Sequence, residues 1–181
     1  TVTDPSGDAL TVGFYVGRAL TTEDDELQVW SGETTVAAEV EREGRELVDA
    51  GGRELMATDD GREHVVSSDD AFPYQLLEVP VDGVTEEGEV RVSWDGSANP
   101  GAQVVLSVLD TGSGAWSEVD RALTTGDSPS EITLSGTVPV EGHVTDGADG
   151  AGAVQLLVQH SEGFAHTDLS TREAASVTPA H

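Results

Sequence analysis

Three aromatic side chains and a pair of acidic loops are the residues of this chain best suited to chemistry. Trp116, Trp30 and Tyr74 are flat rings of the kind that stack on the apolar face of a pyranose, and Tyr15 adds a fourth. The plainer alternative for each is a filler of a sheet core. Trp94 belongs to the core, because it shares a period-two face with Val90 and Val92. Trp116 follows the Gly/Ser turn Gly112-Ser113-Gly114, which leaves its direction open.

Calcium is the metal the acidic loops would suit. Asp146, Asp149 and the carbonyls of GADGAG supply hard oxygens from one stretch, with Glu23-Asp24-Asp25 and Asp69-Asp70 as weaker sets. An EF-hand is excluded, since no Glu closes a twelve-residue loop after Asp146, and a solvated loop is the competing explanation. His160, Glu162, His166 and Asp168 are zinc-type ligands, but their spacing matches no zinc signature and suits a polar exit from a strand. No Gly-x-Ser-x-Gly elbow and no phosphate loop occur. No catalytic residue is assigned, so the expectation is a chain that is not an enzyme.

Composition narrows the partners. The 181 residues carry 35 acidic and 8 basic side chains, a formal charge of -27, and every basic residue is Arg. Nucleic acid and anionic membrane surfaces are disfavoured, because phosphate binding needs clustered cations. With no Cys there are no disulfides and no thiol chemistry, though secretion stays open. No apolar run approaches the roughly 20 residues of a spanning helix, so membrane insertion is not expected. The chain starts at Thr in mid-pattern, which has the look of a fragment, so any signal peptide would lie upstream.

The elements that must position these residues are short strands. Apolar runs at Tyr74 to Val81, Glu89 to Trp94, Gln103 to Asp110, Trp116 to Val119, Glu131 to Val138 and Ala153 to His160 are separated by Gly/Pro/Asn/Asp turns. AVQLLVQH is apolar on both faces, as a buried strand would be. Residues 10–16 form an alternating strand, and a hairpin is expected across Ser31-Gly32-Glu33. Val40, Leu47 and Val48 permit a short helix near 41–50, ended by Gly51-Gly52. Residues 57–70 are polar and turn-rich, a natural boundary. The expected division is an N-terminal β segment and linker over 1–66, a sandwich over 67–165 and a tail or linker over 166–181.

DPSGDALTVGFYVGRA, PYQLLEVPVDG, VRVSWDGSANPGAQVVLSVLDTGSGAW and VPVEGHVTDG together resemble the β modules of large secreted bacterial proteins that carry a calcineurin-like metallophosphoesterase domain. The Asp-x-His and Gly-Asn-His-Glu motifs of the phosphoesterase itself are absent. The resemblance implies an all-β, antiparallel β-sandwich of jelly-roll or galactose-binding-like type. It also implies a non-catalytic extracellular accessory or scaffold module whose partners are the neighbouring domains of its own polypeptide. The alternative from the aromatic residues is a carbohydrate-binding module, calcium-dependent or not, whose partner is a glycan or cell-wall polysaccharide.

With so many carboxylates and so few cations, self-repulsion should fall as salt screens it. The thermal unfolding midpoint is expected to rise from low-salt buffer to molar NaCl; a flat or falling midpoint would show that the charges are already compensated.

Overall fold

Two-residue periodicity runs through most of the chain, and it builds two antiparallel sheets. A computed structural model describes residues 28–35, 47–54, 64–68, 71–81, 84, 87–125, 128, 130–146, 152–162 and 167–180. The strands are β1 (Gln28–Thr34), β2 (His64–Ser68), β3 (Phe72–Val81), β4 (Glu89–Ala98), β5 (Gln103–Asp110), β6 (Ala115–Leu123), β7 (Ser130–Pro139), β8 (Val144–Asp146), β9 (Gly152–Glu162) and β10 (Thr167–Ala180). Among the described residues one short helix, α1, spans Ala50–Glu54. The larger sheet has the order β1-β3-β9-β5-β6, with β8 also pairing β9; the other runs β2-β10-β4-β7. The chain is an antiparallel β-sandwich, as its turn spacing predicts.

Between the sheets lies the main core. Val90, Val92 and Trp94 of β4 and Leu134 of β7 meet Leu77 and Val79 of β3, Val104 and Leu106 of β5, and Val154, Leu156 and Val158 of β9. Trp94 is fully buried, while Arg91 on the opposite face is exposed. Turn chemistry closes the strands as expected. After β5 the Asp110 carboxylate accepts the Gly112 and Ser113 N–H groups at 2.9 and 2.8 Å, and Gly114 takes φ +71°. These N–H groups, Ser113 first, hold the Asp110 carboxyl below its usual range.

Several expectations need correction. Gly32 is not in a turn: β1 runs straight through it and pairs with β3 from Gln28↔Glu78 to Thr34↔Phe72. Of the helix expected near 41–50, the described residues 47–49 are not helical; α1 begins at Ala50, and Gly51 and Gly52 sit inside it instead of ending it. Asp49 caps its start, its Oδ1 accepting the Gly52 N–H at 2.7 Å. Leu47 and Val48 are held extended, Leu47 by a bridge to Trp30 and Val48 by a 2.8 Å bond from its N–H to the Val29 carbonyl. Within the expected boundary at 57–70, His64–Ser68 forms β2. The expected tail from 166 supplies β10, whose nine register pairs with β4 include two shifts. Small, polar and charged residues dominate β10, which hid it from a search for apolar alternation. The strand expected over residues 10–16 and the helical positions 41–46 lie outside the described residues.

Removing the indole from the middle of this core should cost about 3–5 kcal/mol. Trp94→Ala is therefore expected to shift the urea unfolding midpoint far downward, and a change under about 1 kcal/mol would mean that the core is not built around this ring.

Candidate functional site

The two sheets treat their outer faces differently. On the smaller sheet, β4 and β7 place Arg91 opposite Thr137, Ser93 opposite Ser135 and Asp95 opposite Thr133, a wetted polar surface. The outer face of the larger sheet carries a second apolar layer instead. Register aligns Trp30, Leu76, Leu157 and Ser107 across β1, β3, β9 and β5, and Tyr74 faces the same way opposite Gly32 and Gln159. Trp30, Tyr74, Leu76 and Leu157 form a buried cluster with Trp116 packed against it.

All three aromatic residues singled out from the sequence thus lie on one face. Their exposures differ, and the difference matters for stacking. Trp30 is 8% exposed and Tyr74 1%, whereas Trp116 is only partly buried. Of the three, Trp116 alone offers ring surface to a ligand, with the other two behind it. Gly32 is what lets Tyr74 lie flat: a Cβ there would sit 2.9 Å from the phenol oxygen and 3.2 Å from Cζ.

Polar side chains that no motif flagged share this sheet face with Trp116. Glu78 and Gln155 are opposed on β3 and β9, and the Gln155 amide donates to Glu78 Oε2 at 3.3 Å. On β6, Arg121 grips Glu118, with Nε 2.6 Å from Oε1 and Nη2 on Oε2. That hydrogen bond holds the Glu118 carboxyl below its ordinary range. A regular strand would send residues three apart to opposite faces. The register shift between Leu106 and Ser107 adds a residue to β6, so that Glu118 pairs with Ser107 and Arg121 with Val105 on one face. Val119, displaced by the bulge, packs toward Gly136, where a Cβ would collide with it. This irregularity also explains why alternation ended the predicted strand at Val119, four residues short.

A separate cleft of about 250 Å³ opens at the sandwich edge, lined by Ser31, Leu47, Val48, Asp49 and His64. His64 Nε2 lies 3.4 Å from the Ser31 hydroxyl. Burial lowers the imidazole from its ordinary value, and the nearby Asp49 charge opposes that shift.

Among the described residues no group of three metal-ligating side chains converges. Asp149 and the side chain of Asp146 lie outside the described residues, as do His166 and the side chains of Glu162 and Asp168. His160 is fully buried and pairs with Val104 within the sheet. Among the described residues no helix is long and apolar enough to cross a membrane.

No protein-family model matches the chain. It is 29% identical over 143 residues to the uncharacterized protein YvnB of Bacillus subtilis (strain 168), an alignment covering 74% of this chain and 11% of that protein. The chain thus spans about a tenth of the length of the curated relative it matches. Among solved structures it is similar to TmCBM61 in complex with beta-1,4-galactotriose, with 16% identity, TM-score 0.40 and coverage of 91% and 89%. It is also similar to the CBM22-1–GH10 modules of Clostridium thermocellum xylanase 10B complexed with xylohexaose, with 13% identity, TM-score 0.40 and coverage of 92% and 28%. Neither alignment transfers a residue role to this chain.

A histidine held neutral by the fold destabilises it when forced to take a proton. The unfolded chain binds that proton more readily, so stability is lost as pH falls through 6.5 toward the lowered folded value. Thermal midpoints measured from pH 7.5 to 5 should therefore drop more for the natural chain than for His64→Gln; parallel curves would show that His64 titrates as it does when unfolded.

Proposed function

We propose that this chain is a non-catalytic carbohydrate-binding module, with the outer face of the larger sheet as its binding surface. A single observation carries the proposal: Trp116 stands partly exposed against an aromatic layer, on a sheet face that also carries Glu78, Gln155, Glu118 and Arg121, while β4 and β7 present mostly polar side chains on the other sheet's outer face. Sugar recognition needs this mixture. A flat ring takes the C–H face of a pyranose, and carboxylates, amides and a guanidinium exchange hydrogen bonds with its hydroxyls. With a formal charge of -27, the ligand is a neutral polysaccharide rather than a uronic or sulfated one.

The module's setting belongs to the same proposal. Its length relative to the Bacillus protein fits a part of a large polypeptide. The resemblance to modules of secreted proteins that carry a metallophosphoesterase supports the same setting. Reading the complete gene for an upstream signal peptide and a downstream phosphoesterase tests this setting independently of glycan binding.

Affinity electrophoresis through gels of neutral galactan, xylan or mixed-linkage glucan, against polygalacturonate, tests the ligand. Retardation is expected in at least one neutral polysaccharide and not in polygalacturonate. Trp116→Ala should weaken it by roughly tenfold to a hundredfold, the equivalent of about 1.5–3 kcal/mol of apolar burial, without unfolding the chain. Free migration in every neutral gel would leave the module a spacer between domains.

A further inference from the structure

The edge cleft is built from parts that come together only in the fold. Ser31 sits on β1 of one sheet and His64 on β2 of the other, while Leu47, Val48 and Asp49 arrive from the segment leading into α1. Val48 is buried and pinned by its bond to the Val29 carbonyl, which fixes the floor. Leu47 is bridged to Trp30 yet 48% exposed, and it forms an apolar wall. Asp49 Oδ1 is steered by the Gly52 N–H, and the Ser31 hydroxyl and His64 Nε2 face each other at 3.4 Å. Gly52 keeps this arrangement open: a Cβ there would meet Val48 Cγ1 at 2.6 Å, Asp49 Oδ1 at 3.4 Å and His64 Nδ1 at 3.4 Å.

An exposed carboxylate, a hydroxyl and an imidazole set around an apolar wall form a recognition surface for a small polyhydroxylated ring. The carboxylate accepts from ligand hydroxyls, the serine and imidazole exchange hydrogen bonds with others, and Leu47 takes the C–H face. The cleft is smaller than the roughly 300–1,000 Å³ of a drug-sized pocket, which suits one sugar ring and not an oligosaccharide. We infer that the cleft between β1 and β2 is a second binding site, for a single neutral hexopyranose such as a chain terminus. It shares only its ligand class with the outer-face site. Trp116 lies on β6, at the far end of the sheet order from β1.

The test is two-dimensional NMR of the labelled chain titrated with methyl glucopyranoside, galactopyranoside and mannopyranoside. Saturable shifts are expected at the His64 ring Cε1–H and the Ser31 amide with at least one glycoside. Ser31→Ala and Asp49→Asn should each weaken that binding about fivefold or more, the loss of one hydrogen bond to ligand. Asparagine still caps α1, so Asp49→Asn keeps the fold. Trp116→Ala should leave the titration unchanged. The inference is overturned if no glycoside gives a saturable shift at roughly 100 mM, where a millimolar site is filled. It is equally overturned if Ser31→Ala and Asp49→Asn bind as the natural chain does, or if Trp116→Ala abolishes the shifts. Cleft binding without polysaccharide retardation would uphold this site and sink the outer-face one, and the reverse would sink this one alone.

Discussion

The pairing of β3 with β9 is the constraint on which the rest of the structure depends. Both strands are apolar on both faces at their centres, so their register decides what each face of the larger sheet becomes. With Leu76 opposite Leu157 and Leu77 opposite Leu156, the first pair builds the outer layer and the second the sandwich core. A slip of one residue would exchange the two sets and expose a row of leucines and valines. β9 is further committed by its other edge, where β5 covers Leu156 to Glu162 and β8 covers Gly152 to Val154. Few strands are so fully specified, and the aromatic residues inherit their placement from this one.

Once the register is set, the outer face follows from local sterics. Trp30 stands beside Leu76 because β1 continues through Gly32, and β1 continues because Gly32 leaves room for the Tyr74 ring. Such a glycine is weak for strand propensity, yet here it removes the one Cβ that would lift an aromatic ring off the sheet. At the other edge the β6 bulge works in the opposite direction. It turns a regular strand into one that sends Val119 toward the other sheet and both members of the Glu118–Arg121 pair outward. Asp120, next to that bulge, accepts the Ser135 N–H at 2.9 Å and so ties β6 to β7 of the facing sheet.

Electrostatics shapes the molecule through exclusion. Among the described residues the main core is apolar except for Gln75 and His160 on its inner faces, and the carboxylates of Asp110, Asp49 and Asp120 each accept backbone N–H groups. A surface this acidic repels polyanions. Where charge is paired on the outer face, as between Arg121 and Glu118, the pair is exposed. Its value lies in holding a fixed array of donors and acceptors, since an exposed ion pair adds little stability.

Fold class was legible in the residues alone, because alternation and turn chemistry are local. Gln103 to Asp110 can be bounded to the residue, the Asp110–Gly114 turn follows from its own side chain, and Trp94 is assignable to the core from its period-two neighbours. Elements whose stability comes from partners were not legible. β2 and β10 lack apolar alternation and exist through pairing with each other and with β4, and Leu47 is drawn out of helical conformation by a bridge to Trp30. The aromatic residues could be named as candidates but not joined, since Trp30, Tyr74 and Trp116 are separated by dozens of residues and meet only through the strand order β1-β3-β9-β5-β6. Ser31, Asp49 and His64 carry no motif at all. Local propensity is written in neighbouring residues, whereas a binding site is a coincidence of distant ones, and only the packing of two sheets brings these together.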